Sequence, residues 1–215
     1  HEIFSKRIYV FAIMLFMMDN YTLLCDLTRK NFLCNYTICI QMLRRIYDMN
    51  IMIASDIHGN EKYCGELIEA FRRERAQRML LLGDLIDGNR EVAKMLNGVK
   101  DSLLCVRGNC DHEEDQRMLD FPIMAYCCLL FTGEKVIFAT HGHKYGRNNP
   151  PKADILLQGH THIPSWDKLD GGMLCFNPGS VSIPRGGSKR GYMVMKEKIA
   201  LWKYLNGEIY HEHRF

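Results

Sequence analysis

The sequence predicts an α/β (α+β) fold in which two β-sheets pack face to face as a sandwich, with helices outside. Three observations predict it. Apolar runs alternate with helical periods from Ile51 to Val106, and short strand-like runs separated by turn residues take over after Pro122. In addition, most of these runs end in a polar loop.

Ile51 to Ala54 is a short apolar run that ends at a polar loop, which marks a buried strand. Glu61 to Arg75 follows with Leu67, Ile68 and Phe71 at helical spacing between charges. The pattern repeats: Met79 to Leu82 reads as a strand, Arg90 to Leu96 as a short helix and Leu103 to Val106 as another strand. Such alternation builds βαβ units around a parallel sheet. Beyond Pro122 the expected strands are Met124 to Phe131, Lys135 to Thr140, Ile155 to Gln158, Met173 to Asn177, Tyr192 to Met195, Ile199 to Leu205 and Glu208 to His211. Gly133, Gly171-Gly172 and Asn206-Gly207 supply turn chemistry between neighbours, so several hairpins are expected.

The 215 residues suffice for one domain with a substantial core, and 47% hydrophobic with 25% charged residues is close to the ordinary globular average and suggests neither a disordered nor a multi-span membrane chain. Net charge is +3 with the basic residues scattered, so no footprint for specific nucleic-acid binding stands out. The nine cysteines are odd in number and lack any C-x-x-C spacing, which argues against a secreted disulfide framework and for a reducing cytoplasm. Residues 1–48 read differently from the rest, as an N-terminal extension outside the domain of residues 49–215. Lys6-Arg7 precedes an apolar run, Ile8 to Met18, with the length of a signal-peptide core. No A-x-A-like site follows, and Met49 stands just before the first strand, which favours an upstream extension over a signal or anchor.

The strand ends carry the chemistry. Ser55-Asp56-Ile57-His58-Gly59-Asn60 follows the first strand, Gly83-Asp84-Leu85-Ile86-Asp87 the second and Arg107-Gly108-Asn109-Cys110-Asp111 the third; Thr140-His141-Gly142-His143 and Gly159-His160-Thr161-His162 come later. Ligands bind at the carboxyl ends of strands in open α/β sheets, so these loops should converge. Asp56 with His58, and His160 with His162, lie two apart, a spacing that lets both side chains reach one ion. Carboxylate, amide and imidazole donors without thiolates suit Mn²⁺, Fe²⁺ or Zn²⁺ better than a structural cysteine zinc site.

Each motif alone is common in caps and turns, but the ordered series of five resembles the calcineurin-like metallophosphoesterase superfamily, in particular its small bacterial and archaeal phosphodiesterase branch, over Asn50 to about Lys196. The resemblance implies the metallophosphoesterase fold and a centre of two divalent ions, manganese first, with iron, zinc or nickel as alternatives. It implies that Asp56, His58, Asp84 and His162 hold one ion and that Asp84, Asn109, His141 and His160 hold the other. The implied reaction is hydrolysis of a small phosphodiester by a bridging water that the metal pair activates. Asn109 and His143 would also touch the phosphate, or His143 would instead support His141.

Two departures stand out. Cys110 occupies the position where many relatives carry a histidine thought to protonate the leaving group, and Asn148-Asn149-Pro150-Pro151 replaces a somewhat longer linker. A thiol titrates near about 8.5 and donates a proton to an alkoxide less readily than an imidazolium, so substrates with good leaving groups are expected. The segment Asn177 to Gly187 also matches the branch; it closes the site wall, and Arg185 is a candidate forked donor to a substrate phosphate. Competing readings are a phosphomonoesterase or nuclease on the same site, or a scaffold like the retromer subunit, whose metal motifs are degraded whereas these are intact. A homo-oligomer is compatible with the sequence.

Overall fold

The computed structural model describes residues 50–132, 135–196 and 198–215. The N-terminal extension, its apolar run and the Gly133 turn lie outside the described residues. Strand β1 (Ile51–Ala54) leads to helix α1 (Glu61–Glu74), β2 (Arg78–Leu81) to α2 (Arg90–Asn97), and β3 (Leu103–Cys105) to the short α3 (Glu113–Gln116). The second half holds β4 (Cys127–Thr132), β5 (Lys135–Thr140), β6 (Ile155–Leu157), β7 (Ser165–Lys168), β8 (Leu174–Asn177), β9 (Gly191–Lys196), β10 (Ile199–Tyr204) and β11 (Ile209–Arg214).

The strands form two sheets, one in the order β11-β10-β9-β1-β2-β3 and one in the order β4-β5-β6-β8-β7. In the first, β1, β2 and β3 run parallel, while β9, β10 and β11 extend the sheet antiparallel from β1. Period-two alternation then assigns the two faces. Met52, Ala54, Met79 and Leu81 pack with Leu67, Phe71, Val92 and Leu96 of the helices. Their neighbours Ile53, Leu80 and Leu82 point the other way and join Ile137, Ala139, Leu157, Phe176 and Trp202 between the sheets. The helices contribute to the first cluster alone.

Local chemistry sets the helix ends. Asn60 caps α1 by accepting from the Tyr63 amide at 3.1 Å, and Asn89 caps α2 by accepting from Glu91 and Val92 at 2.9 and 3.2 Å. Cys64, Leu67, Ile68 and Phe71 form the buried stripe of α1.

Some boundaries and pairings differ from the sequence expectation. β4 starts at Cys127 rather than Met124. β5, β6 and β8 pair in parallel, so Gly171-Gly172 does not join β6 to β8; it joins β8 to an intervening edge strand, β7, which its polar sequence Ser-Trp-Asp-Lys conceals. Asn206-Gly207 does turn a hairpin, between β10 and β11, with Gly207 at φ 95°. Helix α3 spans one turn, too short to show a period, and the Asp115 carboxylate anchors its start by accepting from the His112 amide at 2.8 Å.

Candidate metal centre

The loops that follow β1, β2 and β3 are sewn together through their backbones. The Asp56, His58 and Gly59 amides donate to the carbonyls of Gly83, Asp84 and Leu85 at 3.1, 3.0 and 3.0 Å, so the first loop lies along the second. Buried Asp111 clamps the second loop to the third, its carboxylate accepting from the amides of Asp84, Leu85 and Gly108 at 2.9, 2.8 and 2.7 Å. Burial pushes the Asp111 carboxyl up, and these three amides offset part of the rise. The approach is close: a Cβ on Gly108 would collide with the Asp84 carboxylate. From the other sheet the Gly159 amide donates to the His141 carbonyl at 2.9 Å.

Asp56, His58, Asp84, His160 and His162 all have left-handed backbone, with φ of 59°, 48°, 55°, 65° and 62°. Such residues cost of order 1–3 kcal/mol each and persist where surrounding structure holds them. Asp56 shows how: its carbonyl accepts from the hydroxyls of Ser180 and Ser182 at 2.9 and 3.0 Å. The Asn177 to Gly187 segment therefore positions a donor as well as closing the wall.

The imidazoles are oriented alike. His141 Nδ1 donates to the Leu82 carbonyl at 2.6 Å and His162 Nδ1 to the Ile183 carbonyl at 2.7 Å, since a carbonyl only accepts. His58 Nδ1 meets the Asp87 carboxylate at 2.9 Å. In the neutral rings each Nε2 is left with a lone pair aimed inward. These Nε2 atoms face carboxylate oxygens: His162 to Asp56 at 3.3 Å, His58 to Asp56 and Asp84 at 3.9 and 3.6 Å, His141 to Asp84 at 3.3 Å. The Asn109 side-chain oxygen lies 3.0 Å from His141 Nε2.

Two groups of side chains close to within 4.8 Å and have Asp56 in common: Asp56, His58 and His162, and Asp56, Asp84 and His141. A third such group joins His58 and Asp84 to Cys110. His160 is exposed and joins none of these groups among the described residues; its ring centre lies 5.0 Å from that of His141. Both carboxylate oxygens of Asp56 and the Nε2 of His58 are buried without a hydrogen-bond partner among the described residues. Buried carboxylate oxygens left bare are costly, and a divalent cation satisfies several of them at once. The donor set fits metal ions.

Burial pushes the Asp56 carboxyl up, and His141 and the Ser55 hydroxyl offset only part of that. On Asp84 burial is outweighed by the His141 imidazole and the Cys110 amide, which bring it down to about 2. Burial and the carboxylates of Asp84 and Asp87 push the Cys110 thiol up to about 12. Asn109 donates to its sulfur at 3.3 Å.

His143 stands beside the second group, its ring centre 5.4 Å from that of His141, with Nδ1 buried and unpartnered among the described residues. The support it was expected to give His141 comes from the Leu82 carbonyl instead. Arg185 is exposed; its amide donates to the His162 carbonyl at 3.1 Å. Sequence reasoning passed over Asp87 and Asp111 as site residues, although both lie inside the loops it singled out. Leu82 and Ile183 act through backbone carbonyls and carry no side-chain signal.

Residues 49–199 match the calcineurin-like phosphoesterase superfamily domain. Phosphodiesterase YfcE of Escherichia coli K12 is 39% identical over 165 residues, covering 70% of this chain and 89% of the relative. A probable metallophosphoesterase of Bacillus subtilis, YsnB, is 31% identical over 159 residues, covering 68% and 83%. The solved structure of E. coli YfcE, described as a phosphoesterase, superposes with a TM-score of 0.73 at 36% identity, over 77% of this chain and 99% of that one. The chain belongs to the calcineurin-like phosphoesterase superfamily.

Proposed function

We propose that the chain hydrolyses small phosphodiesters at a centre of two divalent ions, with manganese the metal of choice and iron, zinc or nickel as alternatives. By family membership it is a metal-dependent phosphoesterase, a hydrolase acting on phosphoric ester bonds. The observation that carries the finer reading is the bare buried donor set, Asp56 and His58 above all, beside imidazoles whose outer nitrogens are already committed.

Asp56, His58, Asp84 and His162 would hold one ion, and Asp84, Asn109, His141 and His160 the other. When bound, two such ions lower the pKa of a shared water toward about 7 and neutralise charge developing at phosphorus. The chain's own residues do the rest. Asp84, held ionised, turns Oδ2 toward the His58 and His141 imidazoles while Oδ1 accepts from the Cys110 amide at 2.8 Å. The Leu82, Ile183 and Asp87 oxygens fix the ring planes, so the inward nitrogens need no reorganisation when substrate arrives. Cys110, its thiol pushed up by burial and the neighbouring carboxylates, lies within 4.8 Å of His58 and Asp84 and is the candidate proton donor to the departing oxygen. His143 would contact the phosphate, and Arg185, exposed on the segment that bonds to His162, is the candidate forked donor to it.

The YfcE relative is named a phosphodiesterase, which supports the diester preference. A protein-binding scaffold has no use for these bare donors. Among the described residues no helix is long and apolar enough to cross a membrane, and the six described cysteines are all free, which fits a reducing compartment.

The test is turnover of an aryl phosphodiester against the matching monoester with Mn²⁺. Faster turnover of the diester, abolished by a chelator and restored by Mn²⁺, is expected. Preference for the monoester would overturn the diester assignment, and activity on neither would overturn both.

A further inference from the structure

Next to the second group of donors, beside His143, three loops bring together Arg107, Tyr126 and Lys144, which the hydrolytic chemistry leaves unused. Arg107 directly precedes Gly108 and Asn109, and its amide donates to the Ala125 carbonyl at 2.7 Å. Tyr126 immediately precedes β4 and is tied by its carbonyl to the Thr140 hydroxyl at 3.0 Å, one residue before His141. Lys144 follows His143. The Lys144 ammonium sits 3.5 Å from the Tyr126 ring centre, and the Arg107 guanidinium lies 5.3 Å from the same centre while donating through Nη1 to the Tyr126 hydroxyl at 3.0 Å. The His143 ring meets Tyr126 edge-on at 5.9 Å.

Two cations thus share one aromatic ring. A ring face attracts each of them but neutralises neither, and like charges beside one ring repel. Lys94, Lys100, Arg147 and Lys203 all pair with a carboxylate. Among the described residues neither Arg107 nor Lys144 has such a partner within 4.0 Å. The nearby acids are committed: Asp111 accepts from three amides, and Asp84 belongs to the metal donors. Arg107 is held in place, with Nε donating to the Asp111 carbonyl at 3.2 Å and Nη1 on Tyr126, which leaves Nη2 without a protein acceptor among the described residues. A buried unpartnered nitrogen of His143 lies between this cluster and His141. The arrangement is positive and one imidazole away from His141.

We propose that Arg107, Tyr126, Lys144 and His143 form a subsite for a second anionic group on the substrate, a phosphate or carboxylate ending one arm of the diester. The inference rests on the phosphodiesterase reading and narrows its substrate class. An arm of a few carbons would run from the metal-held phosphorus past His143 to the cations. Arg107 supplies a fixed donor, and Lys144 closes over the anion.

The probes are two non-hydrolysable phosphonates of equal chain length, 5-phosphonopentanoate and pentylphosphonate, titrated calorimetrically into the full chain loaded with Mn²⁺. The charged arm should bind roughly tenfold or more tighter, the size of a charge-assisted hydrogen bond. Lys144→Gln, at an exposed position, should collapse that ratio to below about threefold, whereas Lys144→Arg should keep most of it. Equal affinities in the unmodified chain, or a ratio untouched by Lys144→Gln, would overturn the subsite. Turnover of an aryl diester is scored separately: a preserved affinity ratio without turnover supports the subsite and removes the diester reading, and turnover without the ratio does the reverse.

Discussion

Asp87 holds His58 through Nδ1 at 2.9 Å and is half-exposed, so its removal leaves the core intact but frees the ring to rotate. Asp87→Ala is expected to weaken Mn²⁺ binding about 10–100-fold, measured by titration, with unchanged thermal stability in chelator. Loss of less than threefold would show that Asp87 does not orient the ligand. Cys110 gives a second residue-scale prediction. Cys110→His should raise turnover of diesters with poor alkyl leaving groups while changing that of aryl diesters little, because only a poor leaving group needs the stronger proton donor. Equal effects on both, or none, would reduce Cys110 to a small residue that fills space. The donors were legible in the sequence because each sits in a short polar motif directly after an apolar run. Their supports were not: Leu82 and Ile183 contribute carbonyls, and Ser180 and Ser182 reach the Asp56 carbonyl from more than 120 residues away.

At the scale of elements, Glu74 joins the end of α1 to the first sheet. Its carboxylate meets the Lys203 ammonium at 2.5 Å and accepts from the Tyr192 hydroxyl at 2.7 Å, with both charged side chains largely buried. Burial alone would raise the Glu74 carboxyl, but the Lys203 and Tyr192 contacts outweigh it and hold it below its ordinary value. A carboxyl depressed on folding contributes stability that is present above its unfolded pKa, about 4.3, and is lost as pH falls through the folded value. Glu74→Gln should therefore cost about 1.5–3 kcal/mol at pH 7, read by denaturant unfolding, and the gap between the two proteins should close below pH 4. A gap that persisted unchanged into acid would contradict the ion pair as its source. The strand and helix order of the first half was legible from apolar runs and periods. β7 was not, because as an edge strand it carries Trp166 among polar residues, stacked on His211 at 3.7 Å, and gives no apolar run. Nor did sequence reveal that β5, β6 and β8 are parallel, since a glycine pair specifies a turn without saying which strands it joins.

Across the whole molecule, the sandwich delivers loops from both sheets to one edge, and the fixed geometry of those loops is what a metal pair would lock. Left-handed backbone at Asp56, His58, Asp84 and His162 is held by hydrogen bonds from neighbouring loops and not by the metals alone, so the domain should fold without metal and gain stability with it. Free Mn²⁺ at a hundred times its dissociation constant should add about 2.7 kcal/mol, or roughly 5–10 °C in the unfolding midpoint of a chain this size. No shift on adding chelator to the Mn²⁺-loaded protein would mean that the donors do not bind.

The central claim is that Asp84 lies between two cations held by loops from both sheets. Anomalous diffraction at the manganese edge from crystals grown with Mn²⁺ tests it most directly. Two peaks per chain flanking the Asp84 carboxylate, one against Asp56, His58 and His162 and one against Asn109, His141 and His160, are predicted; a single peak, or none, would contradict it.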